Sequence, residues 1–368
     1  MRTAIWRHFD FWLLGAVVVL LTFGVAMIRS SIAGNAELIE LNVLGRQIYF
    51  ALAGLAVIVV CTLLDYRLWI SASRVLYVLL VVLLLFTIVA GQTSFGAQRW
   101  LNIGLVVLQP SELAKITMII ILADFFARNR DKIGDLRWVA RSVLLTAGLV
   151  VLILLQPNLS TSIVLLTVWF SLLWASGLKL KHLALFTVGG LLVAVVSFPL
   201  LQDYQRDRII RFIAPEEDAR YGSSYNVTQA LISIGSGGVL GQGYGQATQV
   251  QLRFLKVRHN DFIFSAISAE FGLVGAVTVL GMQLFIIWRC VRAARLSQDA
   301  FGSLIAYGIG VIIALHTIVN VGMNIQLLPV TGLPLPFVSA GGSSLLTFMF
   351  GIGLVESVIA RHRALNFS

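Results

Sequence analysis

"VRHNDFIFSAISAEFG", residues 257–272, sets Arg258, His259, Asn260 and Asp261 directly against an apolar run that continues to about residue 288. That run is long enough to cross a bilayer, since a spanning helix needs about 20 predominantly apolar residues. An ionised carboxylate at such a boundary is costly unless something pairs with it or uses it. Two uses are open to Asp261 on the pattern alone: a cap for the start of the span, or a chemical role at the membrane surface.

Nine further apolar runs extend outward from this one. The full set lies at roughly 11–30, 43–64, 74–91, 110–127, 139–155, 159–176, 182–201, 261–288, 302–325 and 342–360. The composition agrees, with 58% of 368 residues hydrophobic and 12% charged, and a mean hydropathy of +0.91. No ordinary soluble domain has that balance. The expectation is an all-α, polytopic integral membrane protein of about ten transmembrane helices, with 1–368 as a single transmembrane domain. Residues 202–260 form one large extracytoplasmic loop between helices 7 and 8. The first run is too long for a signal-peptide core and lacks a clear cleavage site, so it reads as a retained helix.

The net charge of +10 does not point to nucleic acid, because of where it sits. Arg67 and Arg74, Arg128 to Arg141, Lys179 and Lys181, and Arg289, Arg292 and Arg295 fall in alternate connections. Arg2, Arg7, Arg361 and Arg363 add charge at the ends, whereas 31–42 and 326–341 contain no Lys or Arg. Positive charge marks the cytoplasmic side, so both termini are expected there. Cys61 and Cys290 give neither a disulfide framework nor metal-ligand spacing. Within the 202–260 loop, "YNVTQALISI" (225–234) has the spacing of a helix lying in the interface. "GSGGVLGQGYG" (235–245) follows without periodicity; a flexible loop is its plain reading, and an anion site of backbone amides the sharper one.

Candidate chemistry gathers at the outer rim. "LQPSELAKI" (108–116) puts Pro110 at a first helical position, Glu112 at the third, and Lys115 three residues on along the same face. An ion pair would explain both, but Lys115 also lies at the depth of Asp261. Arg46 has a similar level, Arg99 lies in the outer loop that precedes the 110–127 run, and Arg208 and Arg211 belong to the large loop. Several cations beside carboxylates suit phosphate recognition. His259 neighbours Asp261, yet one His and one Asp are too few ligands for a dedicated metal site. Glu270 and Glu356 read as hydrogen-bonded packing residues. "LLPVTGLPLPFVSAGGSS" (327–344) interrupts the helices with prolines and paired glycines, and reads as a re-entrant plug bonded by Asn320 and Asn324.

Five ordered motifs, "GAQRWLNIGLVVLQPSELAK", "QPNLSTS", "IGSGGVLGQG", "HNDFIFSAISAEFG" and "NVGMNIQLLPVTGLPLPFVSAGGSS", together resemble the SEDS family of shape, elongation, division and sporulation proteins. The likeness runs from the third span to the tenth, and the third and fifth motifs look more like the elongation branch. It implies a peptidoglycan glycosyltransferase in the bacterial cytoplasmic membrane that polymerises lipid II at the outer face. Its partner would be a class B penicillin-binding protein transpeptidase, with membrane lipids around it. The family's essential aspartate falls on Asp261, its Glu/Lys pair on Glu112 and Lys115, and its arginine on Arg99. Three positions depart from the family pattern: Asn158 and Ser160 in "QPNLS", and Ala340 in "SAGG".

On that basis Asp261 is the expected general base, and Lys115, Arg99, Arg46 and the outer-loop arginines Arg208 and Arg211 are the expected pyrophosphate ligands. Glu112 and His259 are further expected substrate-binding residues. Mg²⁺ or Mn²⁺ is compatible with one carboxylate plus phosphate oxygens, and no organic cofactor is implied. The rival reading is a lipid II flippase or transporter, which needs charged or broken elements near the midplane. A division-type member is the other alternative.

Overall fold

In the computed structural model, residues 6–362 are described except for 95–96, 103–106, 133–134, 179, 201–202, 214–222 and 256–257. Each of the ten apolar runs coincides with a helix, and further short elements lie between them. In chain order these are α1 (Phe11–Ile32), α2 (Ala36–Glu40), α3 (Val43–Leu63), α4 (Leu68–Ala90), β1 (Gln92–Ser94), β2 (Ala97–Asn102), β3 (Val107–Leu108), α5 (Pro110–Arg128) and α6 (Leu136–Leu155). Then come α7 (Leu159–Ala175), α8 (Leu180–Ser197), α9 (Asp203–Ile213), α10 (Ser223–Gly237), α11 (Thr248–Gln251), α12 (Ile263–Leu296), α13 (Ala300–Asn324) and α14 (Gly342–Arg361).

Among the described residues seven helices, α1, α3, α4, α6, α12, α13 and α14, are long and apolar enough to cross a membrane. The chain is a multi-pass membrane protein. α7 is apolar but shorter, at 17 residues. α5 carries Glu112, Lys115 and Asp124, and its place explains how it tolerates them. It packs against α4, α6, α7, α13 and α14 and buries most of its length, so its charges face protein rather than lipid.

Two of the connecting regions differ from the expected pattern. The connection from α4 to α5 holds a small antiparallel sheet, β1-β2-β3, with Leu101 opposite Leu108 and Asn102 opposite Val107. Strands this short leave no mark in a pattern of ~20-residue runs. Among its described residues the large loop is also mostly helical: α10 covers the expected 225–234 helix and packs on α12.

The glycine run after α10 is not a free loop. α12 breaks at Gly272 (φ 65°, ψ −159°), and a Cβ there would come within 2.4 Å of the Gly241 nitrogen and the Val239 carbonyl oxygen. The break would cost two helical bonds, from Leu273 to Ala269 and from Val274 to Glu270. Instead Leu273 and Val274 donate to the carbonyls of Gly238 and Val239, at 2.9 and 3.2 Å. Gln242 and Gly243 donate back to Ala269 and Glu270, each at 3.0 Å. These amides are therefore consumed by α12, which corrects the anion-site reading. Glu270 is buried and accepts from Ser30 of α1, as a packing residue should.

The two ends of the chain share one face. The Asp10 amide donates to Glu356 at 3.0 Å, Arg289 Nε donates to Asp10 at 2.6 Å, and the His8 ring meets the His362 ring edge-on. The start of α1, the end of α12 and the end of α14 thus meet at one end of the bundle, and Asp261 lies at the other.

Candidate active site

Asp261 sits in the turn before α12, and the turn is held by its backbone. The Asp261 carbonyl accepts from Asn320 Nδ2 and Asn324 Nδ2, both at 3.1 Å. These asparagines stand one helical turn apart on α13 and are fully buried. Asn320 also donates to the Leu333 carbonyl at 2.9 Å, while Asn324 Oδ1 accepts from the Ser265 amide at 3.1 Å. Ser339 Oγ donates to the Asn260 carbonyl at 2.8 Å, and the Ala340 amide to that of His259 at 2.9 Å. The proline-rich loop is therefore clamped to the turn that carries Asp261.

The clamp leaves the carboxylate itself unspent. Oδ1 is buried with no hydrogen-bond partner among the described residues. Phe262, not Asp261, is the N-cap residue of α12 and makes no side-chain cap bond, while the Ser265 amide of the first turn is taken by Asn324; the capping use of the Asp261 carboxylate is ruled out. Oδ2 lies 3.8 Å from where a Cβ on Gly332 would stand, and Gly332 has φ +75°. Glycine thus answers both the backbone conformation and the close approach. Burial pushes the Asp261 carboxyl up to about 6, against the opposing pull of Arg208 on α9. Burial and the neighbouring Arg258 lower the His259 pKa, so the imidazole is held neutral.

Beside this turn opens a pocket of about 480 Å³, walled by Arg46, Trp100, Glu112, Asn260, Gly332 and Ala340 among others. The proline-rich loop, bonded by Asn320 as expected, also forms one wall of it. Gln47 on α3 is buried and fixes the loop's far end, accepting from the Gly341 amide at 3.2 Å. Arg46, one residue earlier, is exposed in the pocket. Its guanidinium is available to an anion.

Lys115 is placed differently from the expectation. It is fully buried and pairs with Glu112 at 2.7 Å. Its ammonium also lies 3.1 Å from His316 Nε2 and 5.5 Å from the centre of the Phe348 ring. His316 Nδ1 faces the Pro334 carbonyl at 3.1 Å. A carbonyl only accepts, so Nδ1 holds the proton and Nε2 accepts from Lys115. Lys115 is thus a fixed internal charge that orients Glu112, itself on the pocket wall, and reaches the loop through His316. It does not touch the pocket, so the expected direct pyrophosphate contact is withdrawn. Sequence reasoning missed His316 because a lone histidine inside a 25-residue apolar helix carries no spacing signal.

Arg99 is corrected too. Its Nε donates to the Gln156 carbonyl at 3.0 Å and its Nη2 to that of Pro157. It ties the outer sheet to the α6–α7 corner instead of facing the pocket. Arg208 acts on Asp261 electrostatically. Arg211 lies on α9, with its side chain outside the described residues. The departures from the family pattern find local roles. Asn158 caps α7 by accepting from the Thr161 amide at 3.2 Å, which aspartate would do equally. Ser160 donates to the Thr331 carbonyl at 2.6 Å. Ala340 forms pocket wall where an aromatic ring would take up space.

Among the described residues no three His, Cys, Asp or Glu side chains cluster to cage a metal. The orphaned Oδ1 of Asp261 fits one bond to a hard cation whose other ligands are phosphate oxygens and water.

Comparison with known proteins identifies the family. The chain is 35% identical to the peptidoglycan glycosyltransferase MrdB of Escherichia coli K12, over 98% of this chain and 96% of that one. It is 33% identical to a probable peptidoglycan glycosyltransferase FtsW of Geobacter metallireducens, over 96% of each chain. Among solved structures, a chain of a peptidoglycan synthase complex coordinating polymerization and crosslinking superposes with a TM-score of 0.83 and 28% identity, covering 96% of this chain and 98% of that one. The Rod shape determining protein RodA of Thermus thermophilus gives 0.72 and 28%, covering 98% of each. The FtsW, RodA and SpoVE family model, described as cell cycle protein, matches residues 11–364. This chain therefore belongs to the FtsW/RodA/SpoVE family.

Proposed function

We propose that the protein is an elongation-type peptidoglycan glycosyltransferase that polymerises lipid II at the outer face of the bacterial cytoplasmic membrane. The observation that carries this is Asp261: a carboxylate with one unpartnered oxygen, on a rigid turn, beside a pocket holding Arg46. The charge pattern of the connections supports cytoplasmic termini and an outward-facing pocket.

In the reaction, the 4-hydroxyl oxygen of one GlcNAc bonds to the anomeric carbon of a MurNAc, with inversion. As it does so, the bond from that carbon to the pyrophosphate breaks, and undecaprenyl pyrophosphate leaves with the electron pair. Asp261 takes the hydroxyl proton. A base whose pKa approaches the working pH combines availability with basicity, and such help is worth about 10²–10⁴-fold. Arg46 and Arg208 face the charge developing on the pyrophosphate, where fixed cations act without reorganising. Glu112, locked by Lys115, stands on the pocket wall to hold sugar hydroxyls. Mg²⁺ or Mn²⁺, held by Asp261 together with substrate phosphates, would supply further charge neutralisation at the leaving group. Crosslinking falls to a class B penicillin-binding protein, in keeping with the synthase complex that the fold resembles.

The test is incubation of the purified protein and its partner with labelled lipid II, followed by glycan-length analysis. Glycan from wild type and none from Asp261→Asn is the expected result. Normal glycan from a folded Asp261→Asn protein would sink the assignment.

A further inference from the structure

A second cavity lies at the opposite end of the bundle, between α4, α5 and α6. It measures about 380 Å³, and its walls include Arg74, Val78, Ile121, Phe125, Arg128 and Trp138. Its floor is apolar and its mouth is basic. Asp124 in the wall is already satisfied: it accepts from Ser73 Oγ at 2.9 Å and from Arg128 Nε at 2.6 Å. Lys132 and Arg141 lie over the Trp138 ring, at 5.1 and 4.6 Å from its centre. The nearby Asp135 is spent on capping α6, accepting from the Arg137 amide at 3.0 Å.

Arg74 is the residue this arrangement leaves over. It is exposed, and it makes no ion pair or hydrogen bond among the described residues. It stands six residues into α4, hence roughly 9 Å along the helix from its first residue. An uncompensated cation at that depth on a spanning helix is a functional candidate by default. The plainer alternative is a topological charge that snorkels to water. That alternative does not account for the apolar cavity beside it, or for Tyr77 bracing the cavity by donating from its hydroxyl to the Leu145 carbonyl at 3.2 Å.

We infer that this cavity is a binding site for an anionic phospholipid of the cytoplasmic leaflet. The phosphodiester sits between Arg74 and Arg128, and one acyl chain lies along Val78, Ile121 and Phe125. Charge complementarity selects the occupant. Basic pockets between helices on the cytoplasmic side take such headgroups, and each nearby cation contributes comparably to the attraction. The site is remote from Asp261 and independent of the glycosyltransferase reading.

The test is a native mass spectrometry titration of the full-length protein with four probes: phosphatidylglycerol, phosphatidylcholine, undecaprenyl phosphate and inorganic phosphate. Wild type should hold phosphatidylglycerol more tightly than phosphatidylcholine. Arg74→Gln should weaken the former by about fivefold and leave the latter unchanged. Val78→Trp, which fills the cavity and keeps the cation, should also weaken phosphatidylglycerol. Unchanged thermal unfolding and gel-filtration profiles of both variants in phosphatidylcholine nanodiscs report that they are folded. Equal affinity of wild type for the two phospholipids, or no effect of Arg74→Gln, overturns the site. Competition by inorganic phosphate as strong as that by phosphatidylglycerol overturns the amphiphile. Preference for undecaprenyl phosphate overturns the choice of occupant.

Discussion

The two ends of the bundle treat charge in opposite ways. At the end where the termini meet, buried and half-buried charges find partners: Asp10 with Arg289, Asp299 with Arg67 and the Tyr66 hydroxyl, Asp65 with Arg361, and Asp124 with Arg128. At the pocket end one buried pair, Lys115 with Glu112, sets part of the wall. The turn carrying Asp261, however, is held by backbone carbonyls and asparagine amides, and Asp261 and Arg46 keep free functional groups. An ion pair on Asp261 itself would fix the turn but neutralise the carboxylate. Neutral clamps fix the turn and leave its carboxylate reactive. That division of labour explains why charge content alone does not locate the site.

The largest expected effect breaks the paired end. Arg289→Met leaves Asp10 beside Glu356 without a counter-charge, and removing one partner of a buried pair costs about 3–5 kcal/mol. Thermal unfolding in detergent should show the loss, while glycan synthesis per folded molecule stays at the wild-type level. An equal fall in specific activity would mean that the two ends are coupled.

Next is Asp261→Asn. Asparagine keeps the shape and cannot take a proton, so polymerisation should drop about 100-fold or more, equivalent to roughly 2.7 kcal/mol of transition-state stabilisation. Stability should hardly change, because the clamp uses the main-chain carbonyl. A destabilised but active variant would reverse the comparison.

The pH profile sharpens it further. The ionised form of Asp261 is the base, and its pKa is raised to about 6. Activity should therefore be full well above that value and fall as pH drops through it, about tenfold for each unit below. Arg208→Gln removes the opposing charge and should move this acid limb to higher pH. An unmoved limb would place Arg208 outside the site's field.

Smaller still, Arg46→Gln should reduce kcat/KM by roughly five- to tenfold, with the loss shrinking in high salt because an exposed cation is screened. Last, Arg67→Gln breaks a half-exposed pair at the closed end and should cost at most about 1 kcal/mol, with no kinetic effect. Differential unfolding and lipid II turnover read the two outcomes separately.

How far these features were legible in the sequence follows from the range of the interactions behind them. Apolar runs and Lys/Arg placement are local, so the spans and the paired face could be read directly. The boundary position of Asp261 stood out for the same reason. The roles of Lys115 and Arg99 did not, because they depend on His316, Gln156 and Pro157, remote in sequence. Asn320 and Asn324 were legible as one face of a helix, but not as the holders of Asp261, which only the packing of α13 on α12 decides.

The break at Gly272 has a consequence for how the protein is made. The bonds that replace the two lost helical ones come from residues 238–243. These leave the ribosome before the span they serve. The unpaired groups at 269–274 therefore meet ready partners as α12 enters the membrane, instead of waiting for later helices. Had the glycine segment followed α12 in the chain, the broken span would have had to cross the bilayer with four exposed backbone groups. The order of these two segments thus puts the partners in the chain before the break that needs them.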